Sequence, residues 1–265
     1  MTDCHIHLER GPYTLEWLDK FVAAAVSRGV DEIYLLEHSH RFSEFLPMYQ
    51  SVGEYNDYQR NWLERKGSSS LSLRNYTALI ELARGASYPI KIKFGLEICY
   101  FEDAEPFIRD MISQFPFDFV TGSVHWVDGF GFDHKKELWD NINVEHTYIR
   151  YYIIMQKLIK SGLFTGLAHP DSMKCFGHTP ELDLSGTYHK LADLLKEHHM
   201  YAEQSGGLRL NYSIECELGM NERMRAIFVD KGVRILTASD AHRPEDVGAN
   251  IFDLERLLTG QENKN

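Results

Sequence analysis

Cysteine is sparse and scattered in this chain of 265 residues. Cys4, Cys99, Cys175 and Cys216 form no CxxC pair, which excludes both a disulfide framework and a thiolate zinc site. No apolar run approaches the length of a transmembrane helix, so no membrane partner is expected. Basic charge is also short: 28 Lys and Arg stand against 39 Asp and Glu, a formal net charge of −11. Binding to a polyanion is largely electrostatic, so no nucleic-acid partner is expected. A small anionic substrate stays compatible with the acidity, because bound metal ions can reverse the field locally. No shift of composition or linker marks a second domain, and no repeat is visible beyond a strand–helix rhythm, so residues 1–265 read as one domain. The chain opens on a strand pattern with no signal-peptide pattern ahead of it, and the expected compartment is the cytoplasm. Disorder is expected only at the extreme C-terminus, "TGQENKN".

What is present is an ordinary globular composition, 43% hydrophobic and 25% charged, in which short apolar strands alternate with helical patterns. The strands read as "CHIHL", "DEIYLLEHSH", "IKIKFGLEI", "FDFVTGSVHW", "FTGLAHPD", "MYAEQSG" and "VRILTASDAH". The first helix, "TLEWLDKFVAAAVSRG", has Thr14 as an N-cap candidate and Gly29 as its stop. A polar excursion from about Arg41 to Asn75, including "KGSSS", separates the second strand from the helical "YTALIELARG". Its aromatics Tyr49, Tyr55, Tyr58 and Trp62 could cover the mouth of a site, although packing on neighbouring helices is the simpler expectation. Seven βα units with apolar strands imply a parallel sheet covered by helices.

Polar residues choose between an open sheet and a barrel. In "HIHLE" the side chains of His5, His7 and Glu9 fall on alternate positions, hence on one face of a strand. His38, Glu97, His125, His169, Asp240 and His242 each lie at the C-terminal end of a later strand. An open sheet gathers ligands at one switch point, whereas a barrel collects them from all its strands at one mouth. The expected fold is therefore an α/β barrel of (β/α)7, TIM-like type, with its site at the strand C-termini. Of 13 histidines, the six named are placed at that mouth. Of the others, His134, His146, His178, His189, His198 and His199 are assigned to surface or packing roles. Imidazole and carboxylate together suit zinc, iron or manganese. Eight such ligands exceed the four usual for one zinc ion, so two or three divalent ions are expected, with Glu97 bridging a pair.

The motifs "HIH", "LLEH", "GLEI", "GSVHW", "LAHPD" and "SDAH" occur in the order and approximate spacing of the polymerase and histidinol phosphatase (PHP) family. The chain resembles that family from His5 to His242, and its histidinol-phosphatase branch most. The resemblance implies a distorted (β/α)7 barrel whose metal centre hydrolyses a phosphomonoester. It implies that His5 and His7 hold one ion with Glu97 and Asp240. His38 and His242 would hold a second, and His125 and His169 a third, with Glu97 shared. Many family members carry a further His or Asp shortly after HxH; here Tyr13 stands near that place and Glu9 is the nearest carboxylate, so Glu9 is taken as the ligand. A metal-bridging hydroxide is the implied nucleophile, with Glu97 at the centre and Asp240 or His242 carrying protons to the leaving oxygen.

Arg10, His40, Arg41, Ser205 and Arg209 are the expected substrate contacts, on the strength of their closeness in sequence to these motifs. The expected substrate is a small phosphorylated metabolite, with L-histidinol phosphate, a histidine-biosynthesis intermediate, leading. A phosphotyrosine or nucleotide phosphoesterase of the same family is the alternative, and a non-catalytic metal-binding regulator the third. The sequence sets no oligomeric state.

Overall fold

Parallel pairing runs unbroken through the main sheet. A computed structural model of the chain describes residues 1–212 and 216–260. Residues 261–265, the end of the "TGQENKN" segment, lie outside them. In chain order the strands are β1 (Thr2–Ile6), β2 (Glu32–His38), β3 (Lys91–Cys99), β4 (Phe119–Ser123), β5 (Trp126–Val127), β6 (Phe130–Gly131), β7 (Gly166–Leu167), β8 (Tyr201–Ser205) and β9 (Ile235–Ala238). The main sheet has the order β1-β2-β3-β4-β7-β8-β9, while β5 and β6 form a separate antiparallel hairpin. Its ends meet just beyond β1 and β9. Ile6 bridges Ala241 in parallel, the His7 N–H donates to the Ala241 carbonyl at 2.8 Å, and the Asp240 N–H donates to the His5 carbonyl at 3.0 Å. Lower in the seam, buried Asp3 accepts from the N–H groups of Ser239 and Gly248, both at 2.8 Å. The result is the distorted (β/α)7 barrel.

The helices are α1 (Leu15–Ser27), α2 (Val52–Tyr55), α3 (Asp57–Ser68), α4 (Leu73–Arg84), α5 (Glu105–Ser113), α6 (Val144–Lys160), α7 (Ser185–Glu197), α8 (Gly207–Asn211), α9 (Glu222–Asp230) and α10 (Ile251–Thr259). Thr14 caps α1 by accepting from the Trp17 N–H, and the chain leaves that helix through Gly29 at φ +69°, a conformation that favours glycine. The stretch from Arg41 to Asn75 is largely helical: a 3-10 segment at Ser43–Tyr49 leads into α2 and α3. Tyr49 is buried there against Phe101, Trp62 and Trp126. Among the described residues no helix is long and apolar enough to cross a membrane.

Alternation of side chains builds two layers of core. Ile33 and Leu35 of β2 and Leu96 and Ile98 of β3 face the helices, while Cys4, Tyr34, Leu36, Phe119, Tyr201 and Ala238 pack together inside the barrel. Next to this inner plug, still inside the barrel, lie the polar residues of β3 and β8, Glu97 and Glu203. Strand β1 departs from simple alternation. Asp3 pairs with Ile33 but Ile6 pairs with Leu35, so β1 spends one residue more than β2. This bulge lets both Cys4 and His5 face inward, where strict alternation would have set them on opposite faces.

Candidate metal centre

The barrel mouth gathers the ionisable ends of β1, β2, β3, β9 and the segments after β4 and β7. Four donor atoms lie close together: Nε2 of His5 and His7, Oε2 of Glu97 and Oδ1 of Asp240. Their separations are 2.9 Å (His5–His7), 3.4 Å (His5–Glu97), 3.6 Å (His7–Glu97 and His7–Asp240) and 3.7 Å (His5–Asp240). A tetrahedral ion with bonds of about 2.0–2.1 Å sets its donors about 3.3–3.4 Å apart. The other carboxylate oxygen of Glu97, Oε1, faces a different pair, His125 Nε2 at 2.9 Å and His169 Nε2 at 3.3 Å. One buried carboxylate therefore serves two groups of imidazoles. A third group is His7, His38 and His242, each offering a nitrogen within 4.8 Å of the others. Glu9 reaches it, with Oε1 3.4 Å from His242 Nε2 and Oε2 3.5 Å from His38 Nδ1.

Hydrogen bonding inside this cluster is incomplete in a telling way. Glu97 Oε2 lies 3.3–3.6 Å from three imidazole nitrogens and accepts a hydrogen bond from none, and the buried Nδ1 atoms of His7 and His169 also lack partners. Buried polar atoms are normally satisfied, so a buried carboxylate oxygen set among imidazole nitrogens and left without a hydrogen bond fits a cation at that point. Outer partners then fix the rings. His5 Nδ1 donates to both oxygens of Glu203 at 3.0 Å, His125 Nδ1 donates to Asp133 at 2.5 Å, and His242 Nδ1 donates to the Asp240 carbonyl at 3.0 Å. A carboxylate or carbonyl can only accept, so each Nδ1 carries a hydrogen and each Nε2 is the atom turned to the centre. Backbone strain accompanies the placement: His169 and Asp240 sit at φ +25° and +59°.

The electrostatics agree. Burial opposes ionisation of Glu97, but His38 and His5 outweigh it and hold its carboxyl well below the usual carboxylate range. Glu9 and Asp240 are lowered in the same manner, against burial, Glu9 chiefly by His38 and Asp240 chiefly by His7 and His5. Burial works against charge on His5 and His125, yet Glu203 and Asp133 respectively push these imidazoles up. His7 is pushed down by burial and by His38 and His242. Three anionic carboxylates with more imidazoles than they can protonate form a cation-seeking cluster, and its N/O donors suit zinc, manganese or iron.

Two cavities meet here. A wide cleft of about 1080 Å³, open to solvent, runs over the cluster and is lined by Glu9, His38, Glu97, His125, His169, Asp240 and His242 on one side. Arg10, His40, Tyr49, Trp62, Lys66 and His134 are among its other lining residues. A side pocket of about 430 Å³ opens beside His125, His169 and Asp240, with Asp171, Ser172, Ser205, Leu208, Gly219 and Met220 as its further walls. Of the expected substrate contacts, Arg10 and His40 line the cleft and Ser205 lines the side pocket. Arg41 does not line either: it sits 3.5 Å from Glu9 and 3.7 Å from buried Glu37, beneath the cleft. Arg209 lines neither cavity: it is exposed and its Nε donates to the Cys216 carbonyl at 2.9 Å. Tyr13 donates to Glu37 at 2.8 Å on the helix side and is absent from both cavity walls.

A family model described as "PHP domain" matches residues 3–211. The chain belongs to the PHP family. It is similar to a Deinococcus radiodurans protein named Probable histidinol-phosphatase, 27% identical over 173 residues, 62% of either chain. A Schizosaccharomyces pombe protein of the same name is 22% identical over 173 residues, 61% of this chain and 56% of its own. The matches thus span less than two thirds of these relatives. Among solved structures, the Lactococcus lactis histidinol phosphate phosphatase HisK, complexed with zinc, L-histidinol and phosphate, superposes with a TM-score of 0.69 at 18% identity, covering 98% of this chain and 92% of that one. A Listeria monocytogenes protein carrying the HisK name gives 0.73 at 16% identity, covering 96% and 99%. These structures share the PHP barrel.

The motifs do not reveal Asp133, Lys66, the cleft position of His134 or the grip of Glu203 on His5. For Asp133 a signal existed. "WVDGFGFDH" carries an Asp-Gly pair between apolar residues; Asp128 and Gly129 take φ +50° and +87°, closing the β5–β6 hairpin, and the chain emerges at Asp133.

Proposed function

We propose that this protein is a metal-dependent phosphomonoesterase acting on L-histidinol phosphate. The observation that carries the reading is Glu97, a buried carboxylate whose two oxygens face two separate sets of imidazoles at metal-ligand spacing. His5, His7, Glu97 and Asp240 would hold one ion, His125, His169 and Glu97 a second, and His38, His242 and Glu9 a third. When bound, such ions supply an activated water and neutralise the phosphoryl oxygens, the role two-metal sites play in phosphatases. The substrate name comes from the histidinol-phosphatase relatives and from L-histidinol and phosphate in the Lactococcus structure.

The chain's own residues do the rest. Glu203 and Asp133 orient His5 and His125. Asp240 or His242 would carry the proton; both nitrogens of His242 are engaged, Nδ1 with a carbonyl and Nε2 toward Glu9. Asp240 Oδ1 faces the cluster, whereas Oδ2 accepts from Asn211 Nδ2 at 3.1 Å at the junction of both cavities. Oδ2 can take the proton of the attacking water and pass it to the leaving oxygen. Arg10 lines the cleft, without a carboxylate partner among the described residues, and would meet a phosphoryl oxygen there. A role in histidine biosynthesis in the cytoplasm belongs to the same proposal. Turnover of L-histidinol phosphate, phosphotyrosine and a 3′,5′-nucleotide, measured side by side on zinc- or manganese-loaded protein, tests it. The first should be preferred, and equal or better turnover of either of the others would overturn the substrate.

A further inference from the structure

The side pocket owes its far wall to a loop that, among the described residues, the barrel does not hold by backbone pairing. Gly219 and Met220 form that wall, opposite the metal-facing residues His125, His169 and Asp240. The polar backbone of residues 219–221 is taken up by four side chains from three stretches of the chain. Lys174 Nζ donates to the Gly219 carbonyl at 2.7 Å, the Met220 N–H donates to Gln204 Oε1 at 2.8 Å, Arg225 donates to the Met220 carbonyl at 3.3 Å, and the Asn221 N–H donates to Asp171 Oδ2 at 2.8 Å. Lys174 is the hub. Its ammonium also sits 2.7 Å from that same Asp171 oxygen, and both side chains are more than nine-tenths buried. Gly219, at φ +76°, lies so close to Gln204 that a Cβ would overlap the Gln204 amide.

We propose that Lys174 is a positioning residue for substrate selectivity: through Asp171 and the Gly219 carbonyl it fixes the 219–221 loop as the wall against which the leaving group is measured. It touches none of the metal-facing atoms, so its influence falls on which ester is accepted and not on the phosphoryl chemistry. The pair costs desolvation that an apolar pair would avoid, and a wall that must discriminate leaving groups has to be held rigid. The proposal rests on the phosphomonoesterase reading above, but not on the identity of the ester.

The test compares kcat/KM for the enzyme's preferred ester, expected to be L-histidinol phosphate, with that for phosphoethanolamine, whose leaving group is small. In Lys174→Met the ratio should fall by about tenfold, within the range a hydrophobic pocket contributes to discrimination. Metal content should hold, and hydrogen exchange at the Met220 and Asn221 amides should quicken while the strand amides keep their protection. Lys174→Met leaves Asp171 buried without its cation, so Lys174→Met/Asp171→Asn serves as the second variant, retaining an acceptor for Asn221 if the single change fails to fold. Equal losses on both esters, or unchanged exchange at the two amides, would overturn the role of Lys174. A preferred ester other than L-histidinol phosphate, with the ratio still falling, would overturn the substrate assignment and support the loop's role.

Discussion

Glu203→Gln removes a charge from the barrel interior while leaving every metal-facing atom in place. Glu203 is fully buried. Both of its oxygens stand 3.0 Å from His5 Nδ1, and Oε2 also accepts from the His169 N–H at 3.1 Å. Glutamine keeps one acceptor, so it can serve His5 or His169 but sets an NH2 group against the other. Exchanging a charged hydrogen bond for a neutral one costs about 1 kcal/mol, and a buried donor left without an acceptor costs about 1–3 kcal/mol. With partial relaxation the expected effect is about 10–100-fold in metal affinity, the usual range for such outer partners. Because His5 and His169 belong to different groups joined by Glu97, both should weaken. Asp133→Asn should weaken the His125 group alone. A chelator-competition titration, with bound metal measured for each variant, separates the two patterns. Wild-type affinity in Glu203→Gln, within about twofold, would refute the idea that this carboxylate orients the imidazoles.

Other substitutions probe different links. Gly207→Ala sets a Cβ into the Asp240 carboxylate, so kcat should drop about 100-fold, as for a misplaced catalytic group, with the far-UV circular dichroism unchanged. Glu37 is fully buried, and burial together with the charge of Glu9 pushes its carboxyl up to about 7. Below pH about 4.5 it is protonated in folded and unfolded chains alike; as pH rises to 7 only the unfolded chain ionises, so stability is lost, by about 3 kcal/mol in all. Urea unfolding should show Glu37→Gln gaining on wild type by about that amount between pH 4.5 and 7, and a pH-independent difference would contradict it. Stripping the metal with chelator should lower the melting temperature by about 5–10 °C, reversed by zinc or manganese, since a ligand at a hundred times its Kd adds about 2.7 kcal/mol. Arg209→Ala should leave kcat/KM within about twofold of wild type, the effect of an ordinary surface change.

Much of this arrangement is legible in the chain because two periodicities overlap in it. Strand alternation sets residues such as Tyr34, Leu36 and His38 on the inner face, and parallel strands deliver His38, Glu97, His125, His169 and Asp240 to one end. The six histidine and carboxylate motifs therefore locate the mouth without any knowledge of contacts. What escaped was set by tertiary packing. The β1 bulge turns Cys4 inward beside His5, which no alternation rule anticipates. The stretch between Arg41 and Asn75 reads as a polar excursion whose aromatics pack on neighbouring helices; Tyr49 is buried in the core, but the anchoring of the helical turns by Phe45 and Val52 is not marked in the pattern. Glu203 pairs with His5 across 198 residues, and the β8 sequence "AEQS" says nothing of that partner. A short helix, residues 207–211, follows β8 and carries the Arg209 guanidinium to the Cys216 carbonyl, a course that closeness in sequence to the motifs does not reveal.

The ion count of the purified protein, by elemental analysis after reconstitution and desalting, goes straight to the Glu97-centred cluster. Two or three ions per chain are expected for wild type, falling by at least one in Glu97→Gln because that side chain faces two groups at once. A single ion or none in wild type, or the same count with and without the Glu97 carboxylate, would contradict a shared metal centre at this barrel mouth.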